Sequence, residues 1–580
     1  MRKGILWVVL SWLIVAVFVL ASCGPAAPGE QEEEEEEPAA GEVQYGGTLT
    51  VINTSSHVPP TDWDPIAMYE MGLGFYSPIY ESLLIGDYLN KGPRGTNEST
   101  FTDLNKVPET ALTGLLAESW EMPDPLTIIY HIREGVYFPD KPGVMESREF
   151  TAEDVVFAFD RLVEESGITG QQFDSFVLGE KVATDRYTLT FTMPAFDPKA
   201  ITWTGWMYFP SLVGYPQELV EAGFEWQNIT GTGPFMLEDV VEDSYITYKR
   251  NPDYWGEIVL DGKEYQLPFV DSFDQLLITD PMTSLAALRA GQVDLMEPVS
   301  RQHLESLEET NPDLVKFRAL DSRNCHIFMR QSIPPFDDVR VRQAALLAVD
   351  NEAIGDALYG EYELLNWPSE IDSPIYTPLD ELPEETRELF EYHPDKARDL
   401  LAEAGYEDGV TVDVLVPPNQ AFFSSDDLID FLHYYWGEVG ITLEINKQEE
   451  AVFWDMVGER QYTTMMEIWG AGPPQVQMED FCTVGFIWNM SDVVDDQLVE
   501  WREESKITVD QDERLAILKK MQARYWGQAD FLPFPTPYSY SYCWPWVKNW
   551  FGETNVTFLS PQPVYKTIWI DQVLKAEMGY

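Results

Sequence analysis

Strand-like segments alternate with helix-like segments along the chain after residue 45, and this alternation restricts the folds that the chain can form. Residues 48–52, 128–132 and 186–193 are rich in apolar and β-branched residues or alternate between apolar and polar, as strands do. Helical patterns lie between and after them. Segments that alternate in this way predict α/β domains.

The ends of several helices can be read from single residues. Thr151 is predicted to cap the start of a helix, with Asp154 in the reciprocal capping position. Asp338 lies at another predicted helix start, where a carboxylate suits the helix dipole. Pro394 takes the first position of a third helix, and Gly405 is expected to end it.

The N-terminus has the pattern of an export signal. Arg2 and Lys3 precede an uncharged run at 5–22, which is about the shortest length that can span a bilayer as a helix. The run ends in LASC, with small residues before Cys23, as at a cleavage site. This ending resembles the bacterial lipobox, which predicts a signal peptide at 1–22 and a lipid on Cys23. An uncleaved membrane anchor is the alternative, and both place the remaining chain outside the cytoplasm.

Residues 23–41 are predicted to form a disordered acidic tether. They are mostly Pro, Ala, Gly and Glu, with six consecutive glutamates at 32–37. Like charges repel, and nothing in the segment can form a core. We interpret it as a spacer that holds a folded body away from a membrane; a solubilising leader without further role is the alternative.

The formal net charge of −62 excludes some classes of partner. A nucleic-acid binder needs a basic surface, and a protein that lies on anionic lipid needs basic residues as well. The sequence contains no HExxH, GxSxG, Walker or GxGxxG motif, so we predict no cofactor, no metal site and no catalytic centre. About 540 residues follow the tether, which predicts two or three domains.

The cysteines leave two patterns open. If Cys23 carries lipid, Cys325, Cys482 and Cys543 remain, without CxxC spacing. They permit one disulfide and a spare thiol, or three buried thiols.

A series of short motifs occurs in one order between residues 45 and 550: YGGTLTV, the DP of Asp64-Pro65, YESLL, LAESWE, YHIREGVYF, FTAEDVVFAFDRL, GTGPF, RNPDYWG, ALRAGQVDLM, PPFDDVRVRQAALLAVD and HPDKARDLLAEAGY. In this order they resemble the large solute-binding proteins of peptide-type ABC importers, known as family 5. Most of these motifs have the features of capped helices and turns, so we interpret them individually as folding signals.

The resemblance implies a periplasmic-binding-protein-like fold of type II in its large three-domain form, with two lobes that close on a hinge around a ligand cleft. The implied division of the chain is domain I at 42–87, 228–318 and 541–580, domain II at 88–227 and domain III at 319–540.

The resemblance also indicates a ligand segment. Peptide-binding members carry an aspartate in a W-x-A-D motif, which pairs with the ligand's α-amino group. Here Trp469, Gly470 and Ala471 match that motif, but Gly472 stands where the acid would be. Because a buried ammonium without a partner is costly, the chain either uses another acid or binds a ligand without a free amino terminus.

Other residues align with cleft walls of the family. They are Tyr69, Glu70 and Met71 in one segment and Trp454 in another. Glu70 could replace the missing acid, and Trp454 and Trp469 could form apolar walls or stack on sugar rings. Ordinary core packing is the alternative for each of them.

The resemblance therefore predicts an extracytoplasmic, lipid-anchored and monomeric binding protein that is not an enzyme. It would capture an oligopeptide-class solute and deliver it to the permease of an ABC importer. A carbohydrate or other non-peptide solute is the alternative ligand. A secreted hydrolase and a sensor or adhesin without a transporter are the alternative functions.

Overall fold

The first strand of the described residues, Thr48–Asn53, lies inside the largest sheet of the structure, between two other strands. In this computed structural model the chain is described at residues 41–53, 63–66, 73–102, 107, 109–165, 174–201, 213–320, 323–365, 368–369, 373–418, 424–470, 474–557 and 562–580. Residues 43–580 form one compact unit.

The strands of the described residues are β1 Thr48–Asn53, β2 Leu84–Gly86, β3 Leu112–Gly114, β4 Ala117–Asp124, β5 Thr127–Ile132, β6 Tyr137–Phe138, β7 Arg148–Glu149, β8 Glu180–Asp185, β9 Thr188–Thr192, β10 Phe235–Val241, β11 Tyr245–Arg250, β12 Glu257–Leu260, β13 Lys263–Gln266, β14 Ser272–Leu277, β15 Leu295–Met296, β16 Val315–Leu320, β17 Arg323–Met329, β18 Tyr362–Glu363, β19 Val410–Val416, β20 Ile441–Lys447, β21 Thr464–Gly470, β22 Phe531–Pro533, β23 Thr536–Cys543, β24 Val547–Lys548 and β25 Trp569–Ile570.

The α-helices of the same residues are α1 Leu73–Tyr76, α2 Ala152–Glu165, α3 Asp174–Leu178, α4 Glu218–Ala222, α5 Pro281–Arg289, α6 Leu304–Thr310, α7 Val339–Leu347, α8 Asn351–Leu358, α9 Glu384–Arg387, α10 Pro394–Glu403, α11 Ser425–Val439, α12 Glu450–Gly458, α13 Pro474–Asp480, α14 Asp496–Ile507, α15 Gln511–Gly527, α16 Gln562–Tyr565 and α17 Gln572–Glu577.

The largest sheet collects strands from both halves of the chain. Its strand order is β10-β11-β14-β1-β15-β23-β16, and β18 pairs with β23. β1 runs parallel to β14 and β15, whereas β23 returns from the C-terminal part of the chain and runs antiparallel to β15 and β16. The predicted strands at 48–52 and 128–132 are confirmed as β1 and β5.

A four-stranded antiparallel sheet, in the order β4-β5-β9-β8, shares a core with the largest sheet. Leu189 and Phe191 of β9 belong to the same buried apolar cluster as Leu49 and Val51 of β1. We name the two sheets with this common core the first lobe. Apolar side chains from both sheets are removed from water together, which is the main force that joins them.

The remaining large sheet has five strands in the order β20-β19-β21-β17-β22 and forms the second lobe with α7 to α15. Both of its faces are buried. Cys325 and Ile327 of β17 face one apolar cluster, and Phe328 faces another with Leu415 of β19. Parallel and antiparallel pairs are mixed, since β19 runs parallel to β20 and β21 while β17 runs antiparallel to β21 and β22.

Two of the points at which the chain passes between the lobes are neighbours. The first follows β16 and leads into β17, and the second lies between β22 and β23, at residues 533–536. Sheets and helices combine as the predicted α/β class requires, so that prediction is confirmed. The predicted domain boundaries stay a prediction.

The helix ends follow the local rules. The Thr151 backbone N–H donates to the Asp154 carboxylate at 2.9 Å, as the reciprocal capping position predicts. Asp338 caps α7 through the backbone N–H of Arg340, and Pro394 is the first residue of α10. Gly405 follows α10 with a φ of +91°, a conformation that glycine adopts without strain.

The family-like motifs of the first lobe contact one another. Glu81 of YESLL accepts hydrogen bonds from the Tyr254 hydroxyl at 2.7 Å and from the Trp255 ring N–H at 3.2 Å, both in RNPDYWG. Asp64 pairs with Arg161 of α2. These contacts support the interpretation of the motifs as folding signals.

Three further observations complete the fold. Trp544 and Trp546 stack with ring centroids 4.7 Å apart inside the first lobe, as expected for packing residues. Cys325, Cys482 and Cys543 are free and buried, which decides between the two cysteine patterns. Among the helices of the described ranges, which start at residue 41, none is both long and apolar enough to cross a membrane.

Candidate functional site

The predicted ligand segment starts where the second lobe meets the chain crossing. Trp469 and Gly470 are the last residues of β21, and they pair with Asn324 and Arg323, the first residues of β17. Since β17 begins directly after the first crossing, this end of the sheet is turned toward the first lobe. The backbone geometry therefore places the start of the WGAG segment at the junction of the lobes.

The other predicted site residues are only partly visible. Ala471 and Gly472 lie outside the described residues, as do Tyr69, Glu70 and Met71, and Cys23 at the N-terminus. The strand position of Trp469 is described, but its side chain is not. The roles of these residues stay predictions.

Trp454 lies on α12 at the rim of an aromatic cluster in the second lobe. It is half-buried, and its ring makes edge contacts with Phe453 at 5.3 Å and with Trp488 at 5.7 Å between centroids. These contacts hold the indole in place and leave part of it accessible. A role in the ligand wall stays a prediction for this residue.

Helix α13 follows the WGAG segment and contacts both lobes. Val476 belongs to the apolar core of the first lobe, whereas Met478 belongs to a core of the second lobe. Gln475 and Glu479 are buried as well, and they lie four residues apart on one side of the helix. The sequence after Gly472 thus continues into the element that joins the lobes.

An ion pair between the lobes ends on this helix. The Lys199 ammonium, which follows β9 of the first lobe, lies 2.6 Å from a carboxylate oxygen of Glu479, and the side chains are 7% and 5% exposed. The Gln475 amide donates to the other oxygen of Glu479 and to the Ser505 hydroxyl. The pair is therefore desolvated and has the further hydrogen bonds that a buried pair requires.

The charges at this junction are strongly coupled. Burial opposes the charged form of Lys199, but the Glu479 and Asp197 carboxylates outweigh it and raise the pKa of Lys199 above its ordinary value. Desolvation, reinforced by the Glu479 charge, raises the pKa of Asp480 to about 8, although Lys199 acts in the opposite direction. A change of charge at Lys199 or Glu479 would therefore affect the whole junction.

A second contact between the lobes lies nearby. The Arg514 guanidinium of α15 lies 5.8 Å from the centroid of the Phe196 ring, three residues before Lys199. The Glu109 carboxylate of the first lobe also acts on Arg514, where it opposes the lowering of the pKa that desolvation causes. The segment 196–199 therefore contacts α13 and α15 of the second lobe.

One buried amide at the junction has no hydrogen-bond partner. Asn324 is 1% exposed, and neither its Oδ1 nor its Nδ2 makes a hydrogen bond. The Gln475 side chain is similar in one respect, because its Oε1 accepts no hydrogen bond. Sequence reasoning missed both residues; the available signal was a polar residue, Asn324, at the start of the strand RNCHIFM.

The described part of the junction is suited to binding. No group of three or more His, Cys, Asp or Glu side chains in the described ranges could hold a metal ion. Burial raises the pKa of the Cys482 thiol to about 11, so it is not an activated nucleophile. What the junction offers is a desolvated ion pair, neutral amides and aromatic rings.

Two α/β lobes joined by neighbouring chain crossings, with a candidate site at their junction, define a binding protein of type II. Residues 111–481 match the family model described as bacterial extracellular solute-binding proteins, family 5 Middle. The chain belongs to this family, as its motifs indicated. The family is defined by solute binding outside the cytoplasm and not by a reaction.

Individual proteins agree with this assignment. The chain is 26% identical to the dipeptide-binding protein of Escherichia coli K12 over 419 residues, which are 66% of this chain and 75% of that relative. The structure of DppA from Helicobacter pylori in complex with the peptide STSA matches with a TM-score of 0.69 at 21% identity, over 91% of this chain and 99% of the other. AgaA from A. tumefaciens R10 in complex with agropinic acid matches with a TM-score of 0.67 at 19% identity, over 90% and 99%.

Proposed function

We propose that the protein captures an oligopeptide-class solute between its lobes and delivers it to an ABC importer. The observation that carries the proposal is the junction at the end of β21, where a family ligand segment leads into a helix that contacts both lobes. Its E. coli relative is a dipeptide-binding protein, which supports a peptide over a carbohydrate as the solute. A ligand that contacts both lobes favours the closed arrangement by its differential affinity.

Gly472, which stands in place of the aspartate of the W-x-A-D motif, narrows the range of solutes within this class. Gly472 offers no carboxylate, so we propose that Trp469 supplies an apolar wall and that the ligand's amino end is not held by the family's usual ion pair. Truncating a large anchor in a desolvated pocket costs about 2 kcal/mol or more, which is about thirtyfold in affinity. Trp469→Ala is therefore expected to weaken binding at least tenfold.

The test is a thermal-shift screen followed by calorimetry. The panel contains di- to pentapeptides, their N-acetylated forms and oligosaccharides. A solute at 100 times its Kd raises stability by about 2.7 kcal/mol, which the screen detects. The proposal is supported if peptides bind and Trp469→Ala lowers their affinity. Gly472→Asp should raise the affinity for peptides with a free amino terminus. Oligosaccharide hits alone would refute the peptide class.

We also propose that the protein is anchored to the cell membrane through a lipid on Cys23, behind a cleaved signal peptide and with 23–41 as a tether. The motivation is LASC at the end of an uncharged run. This anchor would keep the binding protein close to its permease, where the local concentration is high.

The anchor gives a direct prediction. Cys23→Ala should release the protein into the soluble fraction or leave an unprocessed precursor, while Cys482→Ala leaves the anchor in place. Mass spectrometry of the mature wild type should show an N-terminus at Cys23 with an added acyl mass. A mature protein that begins at another residue would contradict the lipobox.

A further inference from the structure

Asn324 carries a buried amide that its own protein does not satisfy. The residue is 1% exposed, and its Oδ1 and Nδ2 both lack a hydrogen-bond partner. Native proteins pair nearly all buried polar side-chain atoms, because such an atom without a partner has lost water without compensation. An exception of this kind at a junction between lobes requires an explanation.

The place of Asn324 in the sheet suggests that explanation. Asn324 stands directly opposite Trp469 in the antiparallel pair of β17 and β21. Three residues after Gly472 lies Gln475, which is 7% exposed and whose Oε1 accepts no hydrogen bond. Two buried amides with unused hydrogen-bonding atoms therefore lie at the two ends of the segment 469–473.

The remaining bonds of Gln475 orient its free atom. Its Nε2 donates to Glu479 and to the Ser505 hydroxyl, so the amide is held from the nitrogen side and the oxygen is left free. Glu479 is in turn held by Lys199 across the junction. The carboxylate nearest to Gln475 is therefore already neutralised by the protein.

We propose that Asn324 and Gln475 are ligand-binding residues that hydrogen-bond a neutral amide group of the solute. Asn324 offers a donor and an acceptor, and Gln475 offers an acceptor, which together complement the N–H and C=O of a peptide unit. Neither residue carries the charge that would balance an ammonium. The inference rests on the proposed function and names the group that its site recognises.

A role in binding and a role in folding have opposite signatures at Asn324. Leucine has a similar size and shape but no polar atoms. Asn324→Leu removes an amide that the fold does not satisfy, so the melting temperature without solute should stay equal or rise. The same change removes the two atoms that would bond the solute, so the affinity should fall.

The experiment compares two variants with the wild type. Melting is measured without solute, and calorimetry uses N-acetylated trialanine amide and trialanine. Asn324→Leu should lower the affinity for the acetylated peptide at least tenfold. Its melting temperature without solute should be equal to or higher than that of the wild type. The control is Asn489→Leu, because the buried Asn489 amide is fully bonded to Thr483 and Val493. It should lower the melting temperature and leave the affinity of the folded protein unchanged.

The outcomes separate this inference from the proposed function. A lower melting temperature with unchanged affinity in Asn324→Leu would overturn it and make Asn324 a structural residue. Stronger binding of trialanine than of its acetylated amide by the wild type would overturn the neutral-amide assignment. If the wild type binds neither trialanine probe, Asn324→Leu is titrated with the solute found in the wider screen, and only a screen without peptide hits refutes the peptide class. A tenfold loss there still supports the contact, and unchanged affinity overturns it.

Discussion

Asp530 is a carboxylate that the second lobe buries almost completely. Its Oδ1 accepts a hydrogen bond from the Gln331 amide at 2.8 Å and lies 3.8 Å from the Arg342 guanidinium, while Oδ2 has no hydrogen-bond partner. Desolvation is the largest effect on this group and raises its pKa to about 7, although Arg342 and Gln331 act in the opposite direction. The folded protein therefore holds a proton on Asp530 at a pH where the unfolded chain has lost it.

This raised pKa predicts a pH dependence of stability. An unfolded aspartate titrates near 3.9, so the contribution of Asp530 is complete below about pH 4 and is lost as the pH rises toward 7. Between pH 5 and pH 8 the loss amounts to about 3 kcal/mol. Asp530→Asn cannot titrate, and its free energy of unfolding should fall less over this range than that of the wild type.

Urea unfolding of both proteins at several pH values checks this expectation. The informative quantity is the difference between the two pH profiles, because Glu297 and Asp480 also have a raised pKa and contribute to both. Parallel profiles would show that Asp530 is already ionised in the folded protein at neutral pH.

Helix caps illustrate the element scale. Asp350 begins α8, and its side chain accepts a hydrogen bond from the backbone N–H of Ala353 at 2.9 Å. The bond satisfies one of the N–H groups that the first turn of a helix leaves unpaired. Asp350 and Ala353 are three residues apart, so this contact is already determined by the local sequence.

Removal of this cap should weaken the second lobe. Asp350→Ala is expected to lower the free energy of unfolding by about 1 kcal/mol, because the capping hydrogen bond is lost. Asp350→Asn keeps an oxygen at the same place and should stay close to the wild type. Urea unfolding followed by tryptophan fluorescence measures both. An equal loss in both variants would mean that the charge of Asp350, and not its hydrogen bond, stabilises α8.

Helix α13 shows what an element can do beyond its own lobe. Its sequence PQVQMED has no strong helical pattern, yet it buries Val476 in one lobe and Met478 in the other. The helix is therefore packed against both lobes at once. We therefore expect α13 to respond directly to any change in the distance between the lobes.

At the scale of the whole molecule, the Lys199–Glu479 pair links the arrangement of the lobes to ligand affinity. If the lobes separate, both charges regain water; if they close, the charges are buried and must pair. Removing one partner of a buried pair leaves an uncompensated charge and costs about 3–5 kcal/mol in measured cases. Loss of Lys199 should therefore disfavour the closed arrangement.

Lys199→Met is expected to weaken ligand binding at least tenfold, because less of the protein occupies the binding-competent arrangement. Small-angle scattering at equal ligand concentration should give a larger radius of gyration than for the wild type. The matched control is Lys447→Met, whose partner Asp426 lies in the same lobe and is exposed. The exchange Lys199→Glu with Glu479→Lys should recover part of the affinity. Unchanged affinity and scattering in Lys199→Met would show that the pair does not influence closure.

The predictions that were confirmed rest on short-range patterns. The cap of α2 by Asp154, the start of α10 at Pro394 and its end at Gly405 each depend on residues within a few positions of one another. Hydrogen-bond geometry and φ preferences act over that range, so they can be read from the chain directly. The ordered motifs added the family, and some of them contact one another in the fold, as Glu81 of YESLL does with Tyr254 of RNPDYWG.

The sequence by itself therefore determined the α/β class, the helix ends and the family, together with the loss of the usual acid at Gly472. Only the tertiary structure decided which charges and amides meet at the junction. Lys199 and Glu479 are 280 residues apart, and the chain contains 99 acidic residues from which no local pattern selects Glu479. The pairing of β17 with β21, which places Asn324 opposite Trp469, likewise depends on the fold. Burial and desolvation give these contacts their energies, and both are properties of the folded molecule.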